Sequence, residues 1–131
     1  MTTAKPRGDA MPKVLVVDDD SRMVLLLTMT MPSSYVVMQA KDGEEALKVA
    51  EAQVPDVVLL DVNMPRLNGF EVLRKIRQSA KLKKTKVIMV TARGDEADRT
   101  LGLQLGADAY LAKPFSPLSL LDVITRLLTE A

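Results

Sequence analysis

Asp18, Asp19, Asp61, Thr91 and Lys113 are the residues on which this chain could run chemistry. The 131 residues include no histidine and no cysteine. That removes the usual general base, the usual zinc ligands and any Ser–His or Cys–His nucleophile pair. Two carboxylates 4 to 5 Å apart repel by roughly 3 to 4 kcal/mol at an effective dielectric near 20. Three acids in one cleft, Asp18, Asp19 and Asp61, therefore persist only by taking up protons or a cation. An all-oxygen donor set suits a hard ion, Mg2+ or Mn2+. Lys113 adds a fixed positive charge and Thr91 a hydroxyl, and the small side chain of Ala92 lets its backbone N–H approach an oxyanion. Metal, lysine, hydroxyl and amide around a carboxylate are the equipment for phosphoryl transfer to that carboxylate. Asp61 would attack phosphorus in line while the cations meet charge on the equatorial oxygens. An aspartyl phosphate is an established covalent intermediate.

These residues meet only if the elements carrying them share one edge. Lys13 to Val17 is a β-branched run closed by Asp18-Asp19-Asp20, and Val57 to Leu60 is an apolar run that delivers Asp61 before the turn Asn63-Met64-Pro65. Short apolar runs bounded by turn signals fit strands buried on both faces. Tyr35 to Ala40, Val87 to Val90 and Ala109 to Ala112 supply three more, the last two ending at Thr91-Ala92 and Lys113-Pro114. Helices alternate with them. Ser21 is placed to cap a helix running to about Thr30. Asp42 with Glu45 and Asn68 with Glu71 form capping patterns, Asp95 to Leu105 is a helix ended by Gly106, and Ser116-Pro117 opens a last helix to about Thr129. Phe70, Leu73 and Ile76 form an apolar stripe, with Arg74, Lys75 and Arg77 on the wet side, and Lys81 to Lys84 reads as a solvated basic turn. Five strand–helix units in strict alternation predict a parallel sheet with helices on both faces. The singled-out residues all fall at carboxyl ends of strands, the edge where open α/β sheets bind ligands. Taken singly, such acids are more often a helix N-terminal cluster, such a lysine a surface lysine and such a threonine a cap; the common edge of Asp18, Asp19, Asp61, Thr91 and Lys113 favours a site.

With 47% hydrophobic and 27% charged residues the composition is that of one globular domain. A net charge of +1 gives no global pull towards nucleic acid or a membrane surface. No transmembrane run is visible, and the lack of cysteine fits the cytoplasm. Residues 1–12 read as a short flexible leader without an apolar signal core, and residues 13–131 as the domain. The first helix is apolar nearly all round, which admits two readings: deeper burial than usual, or a docking or self-association face.

The chain resembles the receiver domain of two-component response regulators. The resemblance rests on Val-Leu-Val-Val-Asp18-Asp19, Asp42-Gly-Glu-Glu-Ala-Leu47, Asp61-x-x-Met-Pro65-x-x-x-Gly69, Val-Thr91-Ala92 and Tyr110-Leu-Ala-Lys113-Pro114-Phe115, in the family's order. It implies a flavodoxin-like, doubly wound five-stranded parallel sheet of order 2-1-3-4-5 with five helices. It further implies that Asp61 accepts phosphoryl from a sensor histidine kinase or a phosphotransfer protein. Asp19, Asp61 and the backbone carbonyl of Asn63 would ligate Mg2+, with Asp18 acting mainly through water. Lys113, Thr91 and the Ala92 N–H would hold the phosphoryl group, with a cis Lys113–Pro114 bond. Thr91 and Tyr110 would be the switch pair, altering a face of helix four, strand five and helix five that a downstream protein target or output domain reads. Such a domain catalyses only its own phosphorylation and dephosphorylation.

Ala109 stands where many DNA-binding members have a second acid, and residues 118–126 lack the acid-and-arginine pattern of their dimers. Arg93 occupies a position that resembles one tuning dephosphorylation, and direct nucleic-acid binding by this chain is not expected. Two competing functions are a Mg2+-dependent phosphohydrolase of the haloacid-dehalogenase type using Asp18-x-Asp20, and a phosphorylation-independent binding module. The first leaves Asp61 unexplained and the chain without room for a cap domain.

Overall fold

A computed structural model of the chain describes residues 11–62, 68–92 and 96–129. Five parallel strands, β1 (Lys13–Val17), β2 (Val36–Ala40), β3 (Val57–Asp61), β4 (Lys86–Ala92) and β5 (Ala109–Lys113), pair in the order β2-β1-β3-β4-β5. The helices between them are α1 (Ser21–Thr30), α2 (Gly43–Gln53), α3 (Gly69–Gln78), α4 (Glu96–Gln104) and α5 (Pro117–Thr129). The expected doubly wound sheet of order 2-1-3-4-5 is the one observed. The leader and the beginning of the helix at Asp95 lie outside the described residues, apart from Met11 and Pro12.

Side-chain alternation splits the core in two. Leu15, Val17, Val58, Leu60, Val87 and Met89 pack with residues of α2 and α3 on one face. Val14, Val16, Val57, Leu59, Ile88 and Val90 pack with Leu27 of α1 and Leu120 and Ile124 of α5 on the other. Successive strand residues point to opposite faces, so a sheet covered on both sides needs apolar residues at every position of its central strands. That is why β1 and β3 read as unbroken apolar runs.

Helix ends follow local chemistry with two adjustments. The cap of α1 is Asp20 rather than Ser21: the Asp20 side chain accepts from the Arg22 N–H at 2.9 Å and Ser21 is the first helical residue. Asn68 and Glu71 form a full capping box before α3. Glu45 instead reaches one residue further back, accepting from the Lys41 N–H, while Asp42 accepts from Glu45. Gly106 ends the α4 segment with φ +103°, a conformation that favours glycine.

Three expectations change. The basic turn contains a 3-10 turn, Ala80–Leu82, and Leu82 is fully buried beneath its lysines. Helix α1 is not more buried than usual, since Leu25, Leu26 and Met29 are 62%, 47% and 75% exposed. Arg77 is not simply on the wet side. Its guanidinium forks to the Gly106 carbonyl at 2.9 Å, the Thr85 carbonyl at 2.8 Å and Asp108 Oδ2 at 2.6 Å. Asp108 Oδ2 also accepts from the Val87 N–H at 2.8 Å, so one ion pair ties α3, β4 and the α4–β5 turn together. Arg77→Ala is expected to lower stability by about 2 kcal/mol, because it strips charged hydrogen bonds from three groups at once. Arg77→Lys should recover less than half of that, a point charge being unable to fork. A denaturant midpoint for Arg77→Ala equal to that of the wild type would refute this.

Candidate functional site

The strand register brings the acids together. Val17 of β1 pairs with Leu60 of β3, so Asp18, next in the chain, stands beside Asp61, the last residue of β3. Alternation then selects the face. Asp61 keeps step with Val57 and Leu59, and Lys113 keeps step with Ala109 and Leu111, all on the side covered by α1 and α5. Lys113 is in register with Ala92 of the intervening strand β4. Its stem spans that strand, and Nζ donates to Asp61 Oδ2 at 2.9 Å. Asp18, Asp61 and Lys113 line one cleft with the apolar Val16, Leu59, Val90 and Phe115. The Lys113–Pro114 peptide bond is cis. Helix α3 starts hard against this edge. A Cβ on Gly69 would lie 2.6 Å from the Asp61 carbonyl oxygen and 2.9 Å from Val62 Cα, so only glycine admits the approach.

Burial sets the electrostatics. Asp18 and Asp61 are buried, whereas Asp19 is exposed. Burial pushes the Asp18 carboxyl above its ordinary range; the Asp20 N–H at 2.8 Å and the charge of Lys113 oppose this, while Asp61 and Asp19 add to it. Burial disfavours the Lys113 ammonium, but the hydrogen bond to Asp61 and the fields of Asp61, Asp18 and Asp19 outweigh it and hold the pKa above the usual lysine value. The expected cluster of three acids in the cleft is therefore a buried pair, with exposed Asp19 acting on it through its field. No group of three acids among the described residues closes on one metal-binding point. The Asn63 carbonyl, the remaining expected donor, lies outside the described residues, as does Arg93. Two buried carboxylates sharing one lysine are left net negative in an all-oxygen site, and that donor chemistry fits a hard divalent cation.

Asp18→Asn tests this balance. The variant keeps an acceptor for the Asp20 N–H and removes one buried charge. The metal-free protein is expected to gain about 1 kcal/mol near neutral pH, and Mg2+ should bind at least about tenfold more weakly, read as the Mg2+-dependent shift in Tm. The sign follows from linkage. A folded pKa above the unfolded one gives stability that is present below the unfolded value and lost as pH rises through the folded value, and the Asn variant lacks that loss. A variant less stable than wild type without metal would contradict the account.

Thr91 and Tyr110 are not in the cleft. Thr91 keeps step with Val87 and Met89, and Tyr110 sits directly across from Met89, so both belong to the opposite face. The Thr91 hydroxyl is buried and has no hydrogen-bond partner among the described residues, and the Tyr110 hydroxyl oxygen is buried as well. Ala92 ends β4. Phe115 was not singled out as a cleft residue from the sequence; its place after the cis bond at the end of β5 was the available signal.

A match to the response regulator receiver domain model spans residues 14–125. The chain belongs to the response regulator receiver domain family. It is 49% identical over 106 residues to the alkaline phosphatase synthesis transcriptional regulatory protein PhoP of Bacillus subtilis, covering 80% of this chain and 43% of that protein. It is 46% identical over 122 residues to the transcriptional regulatory protein CpxR of Klebsiella pneumoniae, covering 92% of this chain and 51% of that protein. The receiver thus spans about half the length of the curated relatives it matches. Among solved structures it superposes, with a TM-score of 0.81 and 31% identity, on the receiver domain of the sensor histidine kinase PA1611 from Pseudomonas aeruginosa, covering 92% of this chain and all of that one. That structure is described with a magnesium ion coordinated in the active site cleft. Receiver domains are signalling domains rather than conventional enzymes. The geometry does not favour the phosphohydrolase alternative either, because Asp20 caps α1 and pairs with exposed Arg22 instead of lining the cleft.

Proposed function

We propose that Asp61 is the phosphoacceptor of a two-component signalling switch, loaded by a sensor histidine kinase or a phosphotransfer protein. The observation that carries this reading is a buried carboxylate at the end of β3, held at 2.9 Å by Lys113 in a cleft it shares with Asp18. An Asp61 carboxylate oxygen forms a bond to phosphorus as the bond from phosphorus to the donor's leaving group breaks. Lys113 moves from Asp61 to the transferred group and meets its charge, and the Ala92 N–H supplies a further donor. Asp19, Asp61 and the Asn63 carbonyl would hold Mg2+, with Asp18 acting through water, and the ion would supply charge neutralisation for the transfer. The domain catalyses its own phosphorylation and slow hydrolysis and no other turnover. A new dianion draws the Thr91 hydroxyl across β4, Tyr110 responds behind it, and the face of α4, β5 and α5 changes.

The partner reading that face is a downstream protein target or an output domain, in keeping with the names of PhoP and CpxR. Any nucleic-acid contact is assigned to that partner. No helix among the described residues is long and apolar enough to cross a membrane, and the cytoplasm is the proposed compartment. Incubation with Mg2+ and a small phosphodonor tests the core of this reading. One acid-stable, alkali-labile phosphoryl group per chain, mapped to Asp61, is expected; label on Asp18 or Asp20 would favour a phosphohydrolase instead.

A further inference from the structure

Helix α4 carries a glycine in its interior, Gly102, and it is buried. Glycine there costs stability relative to alanine, since it surrenders more chain entropy on folding and adds no packing. No turn or positive φ accounts for it: among the described glycines it is Gly106, four residues on, that has φ in the left-handed region. The neighbours supply the reason. A Cβ on Gly102 would lie 2.6 Å from Tyr110 Cε2, 3.4 Å from Tyr110 Cδ2 and 3.5 Å from Met89 Cγ. The edge of the Tyr110 ring fills the volume a side chain at position 102 would need. Tyr110 is opposite Met89 in the β4–β5 register, its hydroxyl oxygen is buried, and Thr91 lies one alternation further along the same face.

We infer that Gly102 is the positioning residue for Tyr110: its missing side chain is the socket in which the ring lies when the hydroxyl is buried. The functional consequence rests on the proposed role of Tyr110 in reporting the state of Asp61. A methyl group at 102 cannot share the socket with the ring. The backbone of α4 is held by the helix, so the ring gives way by rotating outward. Overpacking of this kind moves the balance between buried and exposed ring by roughly tenfold or more. The outward state is otherwise undisturbed and gains the better helix former. The atoms nearest a Cβ at 102 belong to Tyr110 and Met89, neither of which lines the cleft, so loading of Asp61 should be untouched while its readout through Tyr110 is lost.

The chain has no tryptophan and two tyrosines, which makes the ring directly observable. In a Tyr35→Phe background, Tyr110 is the sole tyrosine, and iodide quenching of its fluorescence reports exposure. In the resting protein Gly102→Ala is expected to raise the quenching constant several-fold over Gly102. With beryllofluoride and Mg2+ it should still fail to protect the ring, while small-donor labelling of Asp61 stays within about twofold of wild type. A second comparison guards against general damage. Beside Tyr110→Ala, the Gly102→Ala change should raise Tm through helix propensity alone, whereas beside Tyr110 it should raise it less or lower it. Unchanged quenching in Gly102→Ala, or an equal Tm shift in both backgrounds, would overturn the inference. The two readings separate cleanly. If wild-type Asp61 takes no label, the switch reading fails, and resting-state quenching still decides the socket. If label is taken but Gly102→Ala leaves the ring buried, the socket fails alone.

Discussion

An Asp61→Asn chain is expected to take no phosphoryl group from a small phosphodonor in Mg2+, with labelling at least about 1000-fold below wild type. The substitution is nearly isosteric. Its amide oxygen still accepts from Lys113 Nζ, which donates to Asp61 Oδ2 at 2.9 Å, so the cleft keeps its shape. What it loses is the anionic oxygen that bonds to phosphorus. The same change removes repulsion with buried Asp18, one of the charges that raises the Asp18 pKa. Metal-free stability is therefore expected to hold or rise, by up to about 1 kcal/mol, which separates lost chemistry from lost folding. Intact-mass measurement and the acid-stable, alkali-labile character of the label provide the readout. Labelling that survives in Asp61→Asn but disappears in Asp18→Asn would transfer the nucleophile to Asp18.

Lys113→Ala has the next largest effect, and its parts move in opposite directions. Removing the lysine leaves Asp61 and Asp18 buried without the cation that offsets both. Breaking a fully buried pair costs 3–5 kcal/mol, but the Lys113 side chain is 40% exposed and partly screened, so a loss of about 1–2 kcal/mol is expected without metal. Because Lys113 and a metal compete for the same carboxylate, Mg2+ should bind the variant at least as tightly as wild type and raise its Tm by more. Transmission should nevertheless fail, since the lysine that would follow the transferred group is gone. The lysine's contribution has a defined pH range. With its folded pKa above the usual lysine value, it is complete below the unfolded value and lost only as pH rises through the folded one. Amide shifts across α4, β5 and α5 on adding beryllofluoride would report transmission. A wild-type pattern in Lys113→Ala would remove Lys113 from the switch.

Much of this molecule is legible without coordinates because its signals are local. Apolar runs of four or five residues ending in Asp18, Asp61, Thr91 and Lys113 put the chemistry on one edge. Asn68 with Glu71, and Ser116 with Pro117, mark helix starts through bonds made within three residues. What escaped depends on neighbours distant in the chain. Arg77 looks like any solvent-side arginine until the α4–β5 turn arrives beneath it with Gly106 and Asp108. Leu82 sits in a lysine-rich turn, and only the fold shows it buried. The apolar α1 suggested burial by composition, yet among its described side chains Leu27 is the one fully buried, and Leu25, Leu26 and Met29 are left in solvent.

The sequence by itself determined the alternating strand–helix order, the carboxyl-edge address of Asp18, Asp19, Asp61, Thr91 and Lys113, and the hard-oxygen character of the site. Those follow from side-chain periodicity and from a chain with no histidine or cysteine. The tertiary structure decided which residues meet. Strand alternation sends Asp61 and Lys113 to the α1–α5 face and Thr91 and Tyr110 to the opposite one. A period of two is visible in each strand alone, but which face of β4 matches which face of β3 depends on register. Register is set by pairing across the sheet, and so belongs to the folded molecule.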